Sequence, residues 1–185
     1  AFFKACSLDV RVLKPGNVSF QSPGHEMQAM QFINSLKAVT PKIFDRDKTL
    51  GQKIEHSIEA SFESVKCNTN LGIVLLCTPI IEALLLITKD HSKHDVHIGY
   101  FFDHLGKYVE KILKNTTLDD TSAVFRAIKR ANPGGLGTSK IADVRVEPDI
   151  SLLNAMRAGA HKDFIAKQYV VFFKDILNQE LMCNV

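Results

Sequence analysis

Apolar residues return at every third or fourth position along almost the whole chain, the spacing of one helix face, which argues against a sheet as the main scaffold. Leu50, Ile54, Ile58 and Phe62 fall four apart; Met27, Met30, Ile33 and Leu36 fall about three apart; Phe101, Leu105, Tyr108 and Ile112 repeat the pattern. Strict two-residue alternation is scarce. The spacing predicts helices near 1–13, 26–38, 50–66, 71–89, 98–114, 118–131, 150–159 and 161–182. The expected fold is all-α, a single multi-helix bundle over residues 1–185.

Start and stop signals support this reading. Thr117 can cap a helix beginning at Leu118 with Asp119 and Asp120 in its first turn, Asn132-Pro133-Gly134-Gly135 can end it, and Asp149 or Ser151 can cap the next. The stretch from Leu71 to Thr88 is long and apolar enough to suggest a membrane span. Glu82 within it and Pro79 near its middle favour a buried core helix instead. The opening Ala1-Phe2-Phe3-Lys4-Ala5-Cys6 lacks the charged leader of a secretory signal and reads as a helix entered partway.

Apolar residues at 45% and charged residues at 23% match a folded domain, and 185 residues suffice for one ordinary core. The net charge of +3 is spread without blocks of like charge, so no nucleic-acid partner is expected and any anion site must be local. Cys6, Cys67, Cys77 and Cys183 form no CxxC pair; they read as structural thiols of a reducing, cytoplasmic protein with no membrane partner.

Three segments interrupt the helical pattern. In Lys14-Pro15-Gly16-Asn17-Val18-Ser19, followed by Ser22-Pro23-Gly24-His25-Glu26, a tight turn can gather backbone N–H groups beside an ammonium, which suits a phosphate; spacing alone favours a plain Pro-Gly turn linking two helices. Asn68-Thr69-Asn70-Leu71-Gly72 opens the apolar helix, where short polar side chains either cap it or hold a ligand oxygen or metal-bound water. Asn132-Pro133-Gly134-Gly135-Leu136-Gly137 follows a helix and not a strand, so it is neither a Walker A loop nor a dinucleotide fingerprint; it is a helix-ending loop or a ligand contact.

Among acidic residues, Asp9, Glu82 and Asp143 are candidates for Mg²⁺, which takes oxygen ligands and bridges phosphates. His91, His94 and His97 have metal-like spacing, but Asp90, Lys93 and Asp95 around them mark a solvated loop. Arg157, His161, Asp163, Lys167, Gln168 and Tyr169 read as the wet face of the last helix, with Arg157 and Asp163 a candidate buried pair.

Together these segments resemble the triphosphoribosyl-dephospho-CoA synthase family. The likeness runs from Asp9-Val10 and Lys14-Pro15-Gly16-Asn17-Val18 through His25-Glu26-Met27 and Asn68-Thr69-Asn70-Leu71-Gly72. It continues through Pro133-Gly134-Gly135-Leu136-Gly137, Asp143-Val144, Ala155-Met156 and Asp163 to Gln168-Tyr169. The resemblance implies an all-α, ATP- and Mg²⁺-dependent transferase of coenzyme biosynthesis that displaces adenine and joins triphosphoribose to dephospho-CoA or a related precursor. Two departures mark a divergent branch: citrate-lyase members usually carry His-Lys-Gly where this chain has Asn70-Leu71-Gly72, and Asp9 stands where Glu is more usual. Family domains are also longer than 185 residues, so the chain corresponds to a shortened version or a piece of one.

The expected assignments follow. Lys14, Gly16, Asn17 and Ser19 take phosphate; Asn68, Thr69, Asn70, Gly72, Gly134 and Gly135 position the nucleotide; Asp9 and Glu82 hold Mg²⁺; His25, Glu26 or Asp9 serve as catalytic groups. The partners are a nucleotide and a phosphorylated cofactor precursor, and a homo-oligomer is compatible with the sequence. The alternatives are a transferase acting on another coenzyme or pterin intermediate and a non-catalytic helical interaction protein.

Overall fold

The computed structural model describes residues 1–13, 18–22, 27–90, 98–134 and 143–177. Among these the chain forms nine helices and no strand: α1 (Phe2–Arg11), α2 (Ala29–Ile43), α3 (Leu50–Val65), α4 (Leu71–Asp90), α5 (Ile98–Lys114), α6 (Leu118–Ala131), α7 (Leu152–Gly159), α8 (Phe164–Val170) and α9 (Lys174–Leu177). The expected all-α bundle is what the chain builds.

Local chemistry sets the helix ends. Thr49 caps α3 and Thr117 caps α6, each in a capping box, and Ser151 rather than Asp149 caps α7 by accepting from the Asn154 N–H. Lys66 and Asn132 end α3 and α6 in the left-handed conformation, with φ of 59° and 43°. Helix α2 begins later than expected and continues past residue 38 to Ile43, through Pro41. The proline is tolerated because the carbonyl it leaves unpaired, that of exposed Lys37, lies on the wet side.

The predicted helix over 161–182 is broken. Asp163 starts α8 by accepting from the Ala166 N–H, and the chain then turns through Phe172 and Phe173 at φ of 52° and 60°. The Phe173 N–H donates to the Gln168 carbonyl and the Phe172 N–H to that of Tyr169, a Schellman stop formed without glycine. Left-handed backbone at two phenylalanines is strained, about 1–3 kcal/mol each. Full burial of the Phe173 ring, 5.3 Å from that of Tyr169, offsets it. Gln168 and Tyr169 are therefore core residues and not part of a wet face. Arg157 and Asp163 are both exposed, so they form no buried pair; Arg157 bonds Asn154.

Helix α4 is the central element, packing chiefly on α5 and α3. By length and composition it could cross a membrane; in this fold Val74, Thr78, Ala83 and Ile87 are fully buried among its neighbours. Pro79 has no N–H to give the Leu75 carbonyl four residues back. The buried Tyr169 hydroxyl donates to that carbonyl instead, at 2.8 Å. Glu82 pairs with Lys53 of α3, which is 1% exposed. One hydrophobic cluster, from Val39, Ile54 and Val74 to Leu113, Leu152 and Phe173, joins these helices.

Helices α3 and α6 meet at Gly51. A Cβ there would lie 2.5 Å from both the Cα and the carbonyl oxygen of Asp120, so only glycine permits the approach. The Asp120 carboxylate accepts from the N–H groups of Gly51 and Thr117, both at 2.9 Å. Burial pushes this carboxyl up, but the hydrogen bonds from Thr117, Thr49 and Gly51 outweigh it and hold it below the usual carboxylate value.

Candidate active site

Helix α1 and Val18 face the start of α4 beside α2. A cleft of about 250 Å³ lies between them, lined by Cys6, Asp9 and Val10 of α1, Val18, Phe32 and Leu36, and Thr69, Gly72 and Ile73. Val18 of the first irregular segment and Thr69 and Gly72 of the second, more than fifty residues apart, thus border one cavity.

The polar lining at the head of α4 is held by a hydroxyl network. The Asn68 side chain accepts from the Leu71 N–H at 3.3 Å and caps the helix. The Thr69 hydroxyl lies 2.8 Å from that of Ser35 on α2 and 3.2 Å from that of Ser61 on α3. The Asn70 amide donates to the same Ser35 oxygen at 2.5 Å, while the buried Asn70 Oδ1 has no hydrogen-bond partner. A Cβ at Gly72 would make only ordinary contact with Ile165 of α8, at 3.4 Å.

The expected site residues divide accordingly. Asp9, Thr69 and Gly72 line the cleft, with Asn68 and Asn70 directly flanking Thr69. Ser19 is adjacent to Val18, but its buried oxygen accepts from the N–H groups of Gln21 and Ser22, which makes it a turn former. Glu82 does not join Asp9: it follows Gly72 by ten residues, about 15 Å along the helix, and its carboxylate is engaged by Lys53. Gly134 is exposed, with open space where a Cβ would go, and is not among the residues lining the cleft. Lys14, Gly16, Asn17, His25, Glu26 and Gly135, with the histidines at 91, 94 and 97, lie outside the described residues.

The sequence reading missed Ser35 and Ser61, which hold Thr69. A serine at a buried helix position carries no visible signal until its partner is known. It also missed Cys6 as a cleft residue. Burial, then the charge of nearby Asp9, push the Cys6 thiol up, and burial, then Cys6, push Cys77 up to about 11. Both stay protonated at neutral pH and are poor nucleophiles, as structural thiols should be.

Among the described residues no three His, Cys, Asp or Glu side chains converge on a metal-sized point. The cleft does suit a cation of the Mg²⁺ kind, which commonly takes one or two carboxylates and completes its shell with water and substrate phosphates. Asp9 is the carboxylate among the residues lining it.

A second, shallower groove of about 400 Å³ runs along α3 and α6 between Glu55, Glu59, Arg126, Lys129 and Arg130. Its charges are largely spent on each other: Arg126 grips Glu55 through two bonds of 2.5 and 2.8 Å, and Arg130 stacks on Phe62.

Compared with known proteins, residues 1–182 match a family model described as ATP:dephospho-CoA triphosphoribosyl transferase. No curated protein and no solved structure matched the chain.

Proposed function

The chain belongs to the ATP:dephospho-CoA triphosphoribosyl transferase family, and on that premise we propose that the cleft between α1, α2 and the head of α4 holds the sugar of ATP during transfer. The observation that carries this reading is the convergence of Asp9, Val10 and Val18 with Thr69 and Gly72 on one cavity. In the reaction the bond from ribose C1′ to adenine breaks and a bond from C1′ to a hydroxyl oxygen of the acceptor forms; the hydroxyl proton leaves to a base. Positive charge builds on the ribose as adenine departs. A carboxylate facing that centre stabilises it, and Asp9 is the cleft's carboxylate.

Asp9 is also the residue that would hold Mg²⁺, whose charge would offset that of the triphosphate. His25 and Glu26 are the proposed acid and base, and Lys14, Gly16 and Asn17 the proposed phosphate contacts. We read the 185 residues as one domain, and its use of ATP favours a cytoplasmic location.

One observation favours a different acceptor. Where citrate-lyase members carry a lysine, Leu71 is buried in the core, and Asn70 beside it is bonded to Ser35. The basic grip of those members is replaced here by packing, so a pterin or other coenzyme precursor is the second reading.

The test is release of free adenine from ATP and Mg²⁺ with dephospho-CoA, followed by chromatography, with pterin phosphates as alternative acceptors. Asp9→Asn is expected to lower the rate by about 10²–10³ while leaving the melting temperature within a few degrees. No adenine release with any acceptor would refute the assignment.

A further inference from the structure

We infer that Thr69, at the head of α4, recognises a hydrogen-bond donor on the ligand, a ribose hydroxyl, because its own hydroxyl hydrogen is given to Ser35 and it can only accept from the cleft. The inference rests on the reading that this cleft holds the nucleotide's sugar.

It follows from counting hydrogens. The Ser35 hydroxyl has one, and it donates that hydrogen to the Phe32 carbonyl at 3.0 Å. Facing Ser35 at 2.5 Å, Asn70 must present its amide nitrogen, and facing Ser35 at 2.8 Å, Thr69 must donate its own hydroxyl hydrogen. Ser35 then donates once and accepts twice, the full capacity of a hydroxyl. With the Thr69 hydrogen spent, the 3.2 Å contact with Ser61 can only run from Ser61 to Thr69.

Thr69 keeps one lone pair and no hydrogen for the cleft. The Asp9 carboxylate lines the same cavity and adds acceptor oxygens to it. At the Thr69 hydroxyl a bare acceptor would bring lone pairs to lone pairs. A sugar hydroxyl brings a hydrogen and is accepted. The volume of about 250 Å³ agrees, being below the ~300–1,000 Å³ of pockets that enclose a whole drug-sized ligand.

The experiment measures binding of ATP, 2′-deoxy-ATP and 3′-deoxy-ATP with Mg²⁺ by calorimetry, for the wild type, Thr69→Val, Thr69→Ser and Ser35→Ala. A buried acceptor left empty weakens binding sharply, so at least one deoxy analogue is expected to bind about tenfold or more weaker than ATP. Thr69→Val should bring that ratio close to one, Thr69→Ser should keep it, and Ser35→Ala, which frees the Thr69 hydrogen, should reduce it. A structural role for Thr69 would move all three affinities together and leave the ratio alone. If ATP binds but both analogues bind equally well to the wild type, or if Thr69→Val leaves the ratio unchanged, the donor preference is wrong and the ATP site stands. If the wild type does not bind ATP at all, the functional reading fails and this one with it.

Discussion

In the middle of α4 the polar groups close on one another: Tyr169 takes the carbonyl that Pro79 leaves open, and Lys53 takes Glu82. At its head they do not close: the chain of hydroxyls through Ser61, Thr69 and Ser35 stops beside a cleft, and Asn70 Oδ1 has no partner. Both regions interrupt an apolar helix with polar residues, and both look alike in sequence. What separates a structural interruption from a ligand site is whether its hydrogen bonds add up without outside help.

Breaking the closed region should be costly in stability and indifferent to nucleotide. The largest effect is expected for Glu82→Ala, which strands the buried Lys53 ammonium and should cost about 3–5 kcal/mol in urea unfolding. The double replacement Lys53→Met with Glu82→Leu should recover most of that loss; a double variant no better than the single would show that the pair is not the cause. Tyr169→Phe comes next, at about 1–3 kcal/mol, because the Leu75 carbonyl loses its donor. Replacing Pro79 by Ala restores a main-chain N–H to that carbonyl, so Tyr169→Phe should cost less in the Pro79→Ala background. Additive effects in the double-mutant cycle would count against the repair.

The contact between α3 and α6 gives a third test, through pH. The Asp120 carboxyl titrates below its usual value when folded. Its contribution is therefore complete above the ordinary carboxylate value and is lost as pH falls from there through the lower folded value. Asp120→Asn should be less stable than the wild type by about 1 kcal/mol at neutral pH, and the gap should close in acid. A gap that stays constant down to pH 3 would argue against ionised Asp120 as the cap. The last test belongs to the open region: Thr69→Val, which takes a partner from buried Ser35 and Ser61, should cost about 1 kcal/mol, and unlike the others its loss should also be felt by the ligand.

The boundaries of α6 were legible because Thr117 and Asn132 act locally, within three residues of what they cap. The break at Phe172 was not, since no glycine or proline announces it; it exists because the Phe173 ring gains a buried position only tertiary packing can offer. The site divides in the same way. Asn68 and Thr69 stood out as polar residues before an apolar run, and Asp9 through its neighbours in the resemblance. Ser35 and Ser61 look like any helical serine, and Glu82, selected for its carboxylate, has a partner on another helix that spacing within α4 could not reveal.

Tyr169 completes α4 from 94 residues downstream of the carbonyl it serves. During synthesis the longest helix of the fold must therefore wait, its defect at Pro79 still open, until α8 has left the ribosome. Any shortened chain ending before that tyrosine would carry a central helix with one main-chain acceptor exposed to the interior.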